Sequence, residues 1–541
     1  MAVWNDLVIP WPQPIDPLHA IGLSAAAAAL PLIVVLVVMG WLRKAGYVAA
    51  LWGLICCLLL ACFIWRMPLK LAMLSTAFGF VYGLWPIMWI VFAALWLYNL
   101  TVETGKFDLL RCWMEHHASR DMRVQAVMVA FCFGALLEGT AGFGAPVAVT
   151  AFLLLALGFT ASRAVTLSLI ANTTPVAFGA LGIPIVALAA VTGLDQIKLS
   201  AMVGRQLPLM SLFLPAFLIV VLAGLKGLKE TWPPALVAGG TFALIQFAVS
   251  NYWGPYAVDV LASLSSIVAL TVFLKFWRSP TNASGTVETA TRQSTPKLSL
   301  ADAVAAWAPW VLLAFVMIIW SYFKIFKRLE ISIAVPGLHN AVYIALYQKT
   351  YGAIYNFQPL AAGTAALTAT FIAALLLRAS PRIFVRSGLV TLRQLLLPGL
   401  TVMLIVGLSY TYNYSGMAYT LGAALAGIGK WFPLASGFLG WVACFLSGSD
   451  TASNLLFGNL QVAAGHQLGI DPVLLAATNS SGAVTGKMIS PQNIAVGVTT
   501  VGLAGKEGEI LRGIFWYSLA FAAVLSLLAL AQAYVLRWMV P

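Results

Sequence analysis

Asn172-Thr173-Thr174, followed by Gly179 and Pro184, recurs later in the chain as Asn479-Ser480-Ser481, followed by Gly486 and Pro491, and all five positions keep one offset of 307. Each copy sits in a long apolar run, 163–191 and 472–500. Proline removes a backbone donor and crowds the turn before it, so both runs are expected to be broken helices. An apolar stretch with a polar, glycine-rich centre precedes each: 124–159, centred on 138–144, and 433–466, centred on 447–454. Such a stretch predicts a re-entrant hairpin whose tip stops inside the membrane, where irregular backbone is tolerated only when buried in protein or lining a watery cavity. Full spans there are the alternative. Two spans, a hairpin, a broken span and a closing span follow one another in both halves. The second broken span is the seventh crossing after the first, an odd number, which predicts repeats inverted relative to each other, with broken helices meeting at the midplane as in secondary transporters.

Composition agrees on the solvent. Of 541 residues, 61% are apolar and 9% charged, and the mean hydropathy is +0.94, far from a soluble chain. Apolar runs of about 20 residues, each able to cross a bilayer as a helix, recur from Ile21 to Leu536. Barrel strands alternate and do not run continuously apolar, so a barrel is excluded. The expected spans are 21–42, 46–65, 80–100, 163–191, 206–225, 234–251, 256–275, 303–323, 358–378, 394–412, 472–500 and 511–536. The fold class is therefore an all-α polytopic membrane protein with about 12 transmembrane helices plus two re-entrant hairpins. Its parts are an N-terminal helix (1–45), a first repeat (46–226), linking helices and loops (227–357) and a second repeat (358–541).

The net charge of +13 is dispersed through short loops, which argues against a nucleic-acid partner and for loops facing the cytoplasm. Ten Lys and Arg residues fall on the side of the N-terminus and nineteen on the other, so both termini are expected outside the cytoplasm. No basic segment precedes the first apolar run, which reads as a span and not a cleaved signal peptide. The six cysteines form no CxxC pair and suggest neither a metal nor a disulfide. No cofactor is expected, and a homo-oligomer is compatible with this architecture.

A charge within hydrocarbon costs about 2.5–3.5 kcal/mol on insertion scales, which makes Glu138, Asp450 and Lys487 functional candidates. Glu138 opens Glu138-Gly139-Thr140-Ala141-Gly142-Phe143-Gly144-Ala145-Pro146, where glycines let the backbone approach a ligand; Asp450 lies in Gly448-Ser449-Asp450-Thr451. Both acids are candidates for proton coupling; the competing reading is that they cap buried helix ends. Breaks at Pro175, Pro184 and Pro491 free backbone amides that suit a carboxylate. The candidate substrate-binding set is Lys487, Gly142, Gly144, Asn172, Thr173, Ser449, Thr451, Asn479, Ser480 and Ser481. These small polar side chains could instead only satisfy the kinks. Lysine is a flexible point charge able to follow a small carboxylate, whereas its competing role is a structural pair with Asp450 or Glu138. Arg205 is held in reserve as the carboxylate partner.

Other features are weaker. The glycines at 139, 142 and 144 have no strand before them and no GKS/T ending, so they do not form a nucleotide loop. Glu115-His116-His117 reads as part of a charged loop, Gly79 and Gly83 as a helix-packing pair, and 279–297 as a flexible linker. Trp52, Trp65, Trp85, Trp89 and Trp96 read as interfacial anchors.

The chain resembles the bacterial L-lactate permeases, proton symporters that include glycolate permeases. The likeness rests on Tyr82-Gly83-Leu84-Trp85-Pro86, the stretches 138–146 and 172–184, Gly204-Arg205-Gln206-Leu207-Pro208, Lys229-Glu230-Thr231-Trp232-Pro233, Asn413-Tyr414-Ser415-Gly416, 448–454 and 482–492 with Thr485-Gly486-Lys487-Met488-Ile489-Ser490-Pro491. Thr140, and Ser480-Ser481 in place of a Thr pair, are conservative departures; 279–300 and 324–357 match poorly and read as variable loops. The resemblance implies import of L-lactate and related 2-hydroxy-monocarboxylates, such as glycolate and D-lactate, with protons across the bacterial cytoplasmic membrane, and no enzymatic step. Composition and repeats alone reach only a secondary transporter. One rival is a sodium-coupled di- or tricarboxylate carrier. Another is a proton-translocating respiratory subunit, which would carry a row of buried Lys, Glu and His along the midplane; here such charges are few and cluster at the repeats.

Overall fold

The computed structural model describes residues 10–117, 121–142, 144–278, 299–345 and 348–541, and the statements below concern these. Nine helices are long and apolar enough to cross a membrane, or ten if Ala161–Ala171 and Val176–Thr192, bent by 64°, form one span. That is fewer than the twelve expected, for local reasons. The expected spans 206–225 and 234–251 are counted once because they lie in a single apolar run, Gln196–Tyr252, of 57 residues, which a kink divides between them. Straight, it would measure roughly 85 Å, far more than a bilayer core; non-helical backbone at Gly224 (φ +68°, ψ −174°) and Thr231 divides it. The expected span 358–378 is helical for only 15 residues, Ala362–Leu376. The run 472–500 splits into Pro472–Lys487 and Pro491–Thr500, because Pro491 cannot donate into the preceding turn.

Helix also replaces expected loop at Lys106–His117, which includes Glu115-His116-His117, and at Met417–Ala426. The all-α expectation fails outside the bundle. Trp11–Pro12 pairs in parallel with Val342–Ile344, which pairs antiparallel with Lys349–Thr350, and Ile331–Ala334 pairs antiparallel with Ile354–Phe357. Part of the stretch 324–357, read as a variable loop, thus forms a β cap built on β-branched and aromatic residues that suit a pleated surface. The linker 279–297 lies outside the described residues.

Four pieces position the site. The first hairpin runs up Met122–Thr140, turns through Ala141, Gly142 and Gly144 and returns along Ala145–Ala156. Its turn needs Gly142 (φ +56°) and Gly144 (φ +82°), conformations that a side chain rarely adopts. In the first broken helix, Ala161–Ala171 ends at Asn172, and left-handed backbone at Ala180, Leu181 and Gly182 separates it from the continuation to Thr192. The second hairpin pairs Phe432–Ser447 with Asp450–Leu468 through Gly448 (φ +72°), and Ser449 caps its second arm. Pro472–Lys487 and Pro491–Thr500 form the second broken helix.

The second hairpin and second broken helix meet backbone to backbone. A Cβ on Gly440 would lie 2.0 Å from the Asn479 carbonyl oxygen, one on Gly482 2.0 Å from that of Gly437, and one on Gly486 2.3 Å from that of Trp441. This is the small-residue contact by which membrane helices approach closely. At the foot of the first hairpin, buried Arg123 donates to Asp121 and to Glu230, tying that arm to Gln196–Tyr252.

Candidate functional site

Both hairpin tips and both helix breaks converge on one cavity of about 210 Å³. The first hairpin contributes Glu138, Gly142 and Gly144, the first broken helix Ala180 and Pro184, the second hairpin Ser449, Asp450 and Thr451, and the second broken helix Lys487 and Asn493. A second cavity, of about 430 Å³, lies at the far ends of the helices that carry Pro184 and Asp450, ringed by Tyr82, Tyr351, Tyr410 and Tyr414 beneath the β cap.

The central contact is an ion pair. Lys487 Nζ donates to Glu138 Oε1 at 2.7 Å, and Asn172 Nδ2 donates to Glu138 Oε2 at 2.8 Å. Glu138 is 3% exposed and Lys487 6%. The pair joins the end of the first hairpin's arm to the last residue of Pro472–Lys487, and Asn172 adds the first broken helix. Close approach of the carboxylate requires Gly179, where a Cβ would stand 2.7 Å from Glu138 Oε1. A buried ion pair is weak evidence of net stability, yet removing one partner costs about 3–5 kcal/mol because the other charge stays buried.

Asp450 is held differently. Ser480 Oγ donates to its Oδ2 at 2.8 Å, and Oδ1 has no donor among the described residues. Asn454 Nδ2 donates to Ser480 Oγ at 3.1 Å and to the Pro184 carbonyl at 3.2 Å, which links this tip to the first broken helix. In each half, therefore, the hairpin acid is bonded by a polar side chain of the repeated motif: Asn172 to Glu138, and Ser480 to Asp450.

Of the expected site residues, Glu138, Gly142, Gly144, Ser449, Asp450, Thr451 and Lys487 line the cavity, while Asn172 and Ser480 stand one bond behind it. The other three turn away, since successive helix positions point about 100° apart. Thr173 bonds the Ile170 carbonyl, Asn479 bonds Asn454 and Gln461, and Ser481 Oγ is buried without a partner among the described residues. Arg205 does not reach the cavity: it donates to Asn251 Oδ1 and to the Met539 carbonyl.

Sequence reasoning missed Asp259 and Asn493. Asn493 lines the cavity and donates to the Gly448 and Lys487 carbonyls, holding the tip and the break together. Asp259, 1% exposed in the first turn of Val258–Phe276, packs against Gly139, where a Cβ would lie 2.7 Å from the Asp259 Cβ. The only signal was an acid inside the expected span 256–275, and an acid in a first helical turn usually complements the dipole. Among the described residues no group of three or more His, Cys, Asp or Glu could hold a metal ion. Chemically the cavity offers one cation, already paired, two acids and backbone at two breaks. An anion entering it must compete for that cation or use freed amides.

The family described as L-lactate permease matches residues 24–536. The chain is 43% identical to glycolate permease GlcA of Escherichia coli K12 over 562 residues, covering 98% of this chain and 100% of that protein. It is 41% identical to the L-lactate permease of the same strain over 551 residues, with the same coverages. Among solved structures, the YdaH transporter of Alcanivorax borkumensis aligns over 86% of this chain and 87% of its own, at TM-score 0.45 and 14% identity. With a match along nearly its whole length and relatives that it covers in full, this multi-pass membrane protein belongs to the L-lactate permease family, whose members are transporters and not enzymes.

Proposed function

We propose that this protein imports L-lactate and related 2-hydroxy-monocarboxylates, glycolate and D-lactate among them, by proton symport with alternating access, and that the substrate carboxylate takes Lys487 from Glu138. The observation that carries the proposal is the Glu138–Lys487 ion pair on the cavity wall. The relatives, a glycolate permease and an L-lactate permease, supply the substrate class. Among the described lining residues Lys487 is the sole cation, so an entering carboxylate pairs there. Glu138 then keeps only Asn172 as a donor, and an uncompensated carboxylate in this buried place is neutralised by a proton. One anion and one proton thus load together.

The same cavity favours a monocarboxylate over the di- or tricarboxylate of a sodium-coupled carrier, whose further carboxylates would meet Asp450 and no second cation. On C2 a methyl against a hydrogen is worth only about 1–3 kcal/mol in an apolar pocket, so lactate and glycolate are both accepted. The architecture that serves this cycle is about twelve spans and two re-entrant hairpins in inverted repeats, with both termini outside the bacterial cytoplasmic membrane. The repeated motif, and the meeting of both tips at one cavity, support it. The larger aromatic cavity beneath the β cap supports access from the side of the termini.

The deciding experiment is uptake of labelled lactate into proteoliposomes driven by a pH gradient. Accumulation should persist without sodium, collapse with a protonophore and be inhibited by glycolate and D-lactate but not succinate. Sodium dependence, or inhibition by succinate at the concentration at which lactate inhibits, would overturn the reading.

A further inference from the structure

Asp259 is the one carboxyl group near the cavity that the ion pair and the hydrogen bonds leave out. Both of its carboxyl oxygens are buried and neither has a donor among the described residues, whereas Glu138 has two donors and Asp450 has one. An ionised carboxylate stripped of water and of donors is among the costliest groups a fold can bury. As a neutral acid the same group is tolerable there, so this geometry calls for a proton on Asp259.

Its place is next to Glu138 in the chain of contacts. The Gly139 backbone lies against the Asp259 Cβ, so the acid abuts the residue that follows Glu138 at the hairpin tip. The charges that act on it are Glu138, from the first hairpin, and Lys487, from the second broken helix. Of the other elements packed on Val258–Phe276, Gln196–Tyr252 carries Lys198, Arg205, Lys226, Lys229 and Glu230 and Leu300–Tyr322 carries Asp302, none of which is among the charges that act on Asp259. A capping acid in a first turn would accept from backbone amides; Asp259 accepts from none.

We propose that Asp259 is the proton store of the transport site: it holds a proton while Glu138 is paired with Lys487 and delivers it to Glu138 when the substrate carboxylate takes the lysine. The O–H bond of Asp259 breaks, directly or through a water, and an O–H bond forms on Glu138. The Asp259 carboxylate recovers its proton from the outside solvent before the loaded site closes, and Glu138 releases its own to the cytoplasm when it pairs again with Lys487, so one proton moves with each substrate. The inference rests on the reading of Glu138 and Lys487 given above.

The test is Asp259→Asn, a neutral replacement of the same shape, assayed in proteoliposomes. Lactate counterflow, which needs no net proton movement, should remain within about twofold of wild type, and accumulation driven by a pH gradient should fall at least tenfold. The acid limb of the pH profile of net uptake should disappear with it. Unchanged accumulation and pH profile overturn the proposal. Loss of counterflow and accumulation together, in protein that still elutes as a single species and shows the wild-type thermal shift with lactate, makes Asp259 a requirement of exchange itself and not of proton storage, and also overturns it. If Asp259→Asn does not fold, Asp259→Ser, smaller and equally unable to store the proton, is read by the same outcomes. A wild-type protein that fails to accumulate lactate against a pH gradient refutes the proposed function itself, whatever the Asp259 variants do.

Discussion

Lys487→Met separates a substrate ligand from a structural counter-ion. Methionine keeps much of the length of the side chain and removes the ammonium, leaving Glu138 buried with Asn172 as its single donor. Breaking a buried pair from one side costs about 3–5 kcal/mol, so the single variant should lose yield and melt earlier. Glu138→Gln in the same chain removes the stranded charge, and the double variant should regain most of that stability. Binding behaves differently if the carboxylate pairs with Lys487. A hydrogen bond to a charged group is worth about 1.5–3 kcal/mol, roughly ten- to a hundredfold in affinity. That loss should appear for lactate, glycolate and D-lactate alike and persist in the double variant. Isothermal titration and thermal melting of the purified wild type, both single variants and the double variant measure the two quantities separately. Recovery of lactate affinity together with stability in the double variant would refute the reasoning and make Lys487 a counter-ion only.

Glu138→Gln alone should abolish uphill accumulation of lactate driven by a pH gradient while leaving counterflow, and full accumulation in a well-expressed variant would end its coupling role. Single cysteines at Ala145 and Thr451, on a background without other cysteines, should be labelled from the cytoplasm and from outside respectively; labelling of both from one side in every state is incompatible with inverted hairpins. Gly482→Ala places a methyl 2.0 Å from the Gly437 carbonyl and should cost about 1–3 kcal/mol or more by overpacking, read as a lower melting temperature.

The helical content and the polar candidates were legible for one reason: in an apolar chain every interruption is conspicuous. Glu138 and Lys487 stood out because charge is costly in such runs, and the two Asn-led motifs because they share one spacing. Their partnership was not legible. Glu138 and Asp450 were equal candidates for Lys487, and a separation of 349 residues carries no information about distance. Asp259 hid where an acid commonly complements a helix dipole. Residue type alone recommended Arg205, yet Asn251 and the Met539 carbonyl already occupy its guanidinium. The strands Ile331–Ala334 and Ile354–Phe357 are four residues each, too short for alternation to speak, and pairing across the intervening loop makes them. The joint in Gln196–Tyr252 was legible, since the expected spans 206–225 and 234–251 flank the non-helical backbone at Gly224 and Thr231.

The glycine seam between Phe432–Ser447 and Pro472–Lys487 has a mechanical consequence. With carbonyl oxygens standing where methyl groups would be, the two helices form a stiff plank, and Lys487 rides at its end. A displacement of the second hairpin therefore carries the backbone of Lys487 with it. The ion pair spans 2.7 Å, and a hydrogen bond stretched beyond about 3.5 Å has ceased to be one, so once the lysine stem is fully extended less than about 1 Å of further travel parts the pair. The pair then works as a latch with a short throw: the two halves stay engaged under thermal jitter, and an anion that can replace Glu138 at the lysine is the key that frees them.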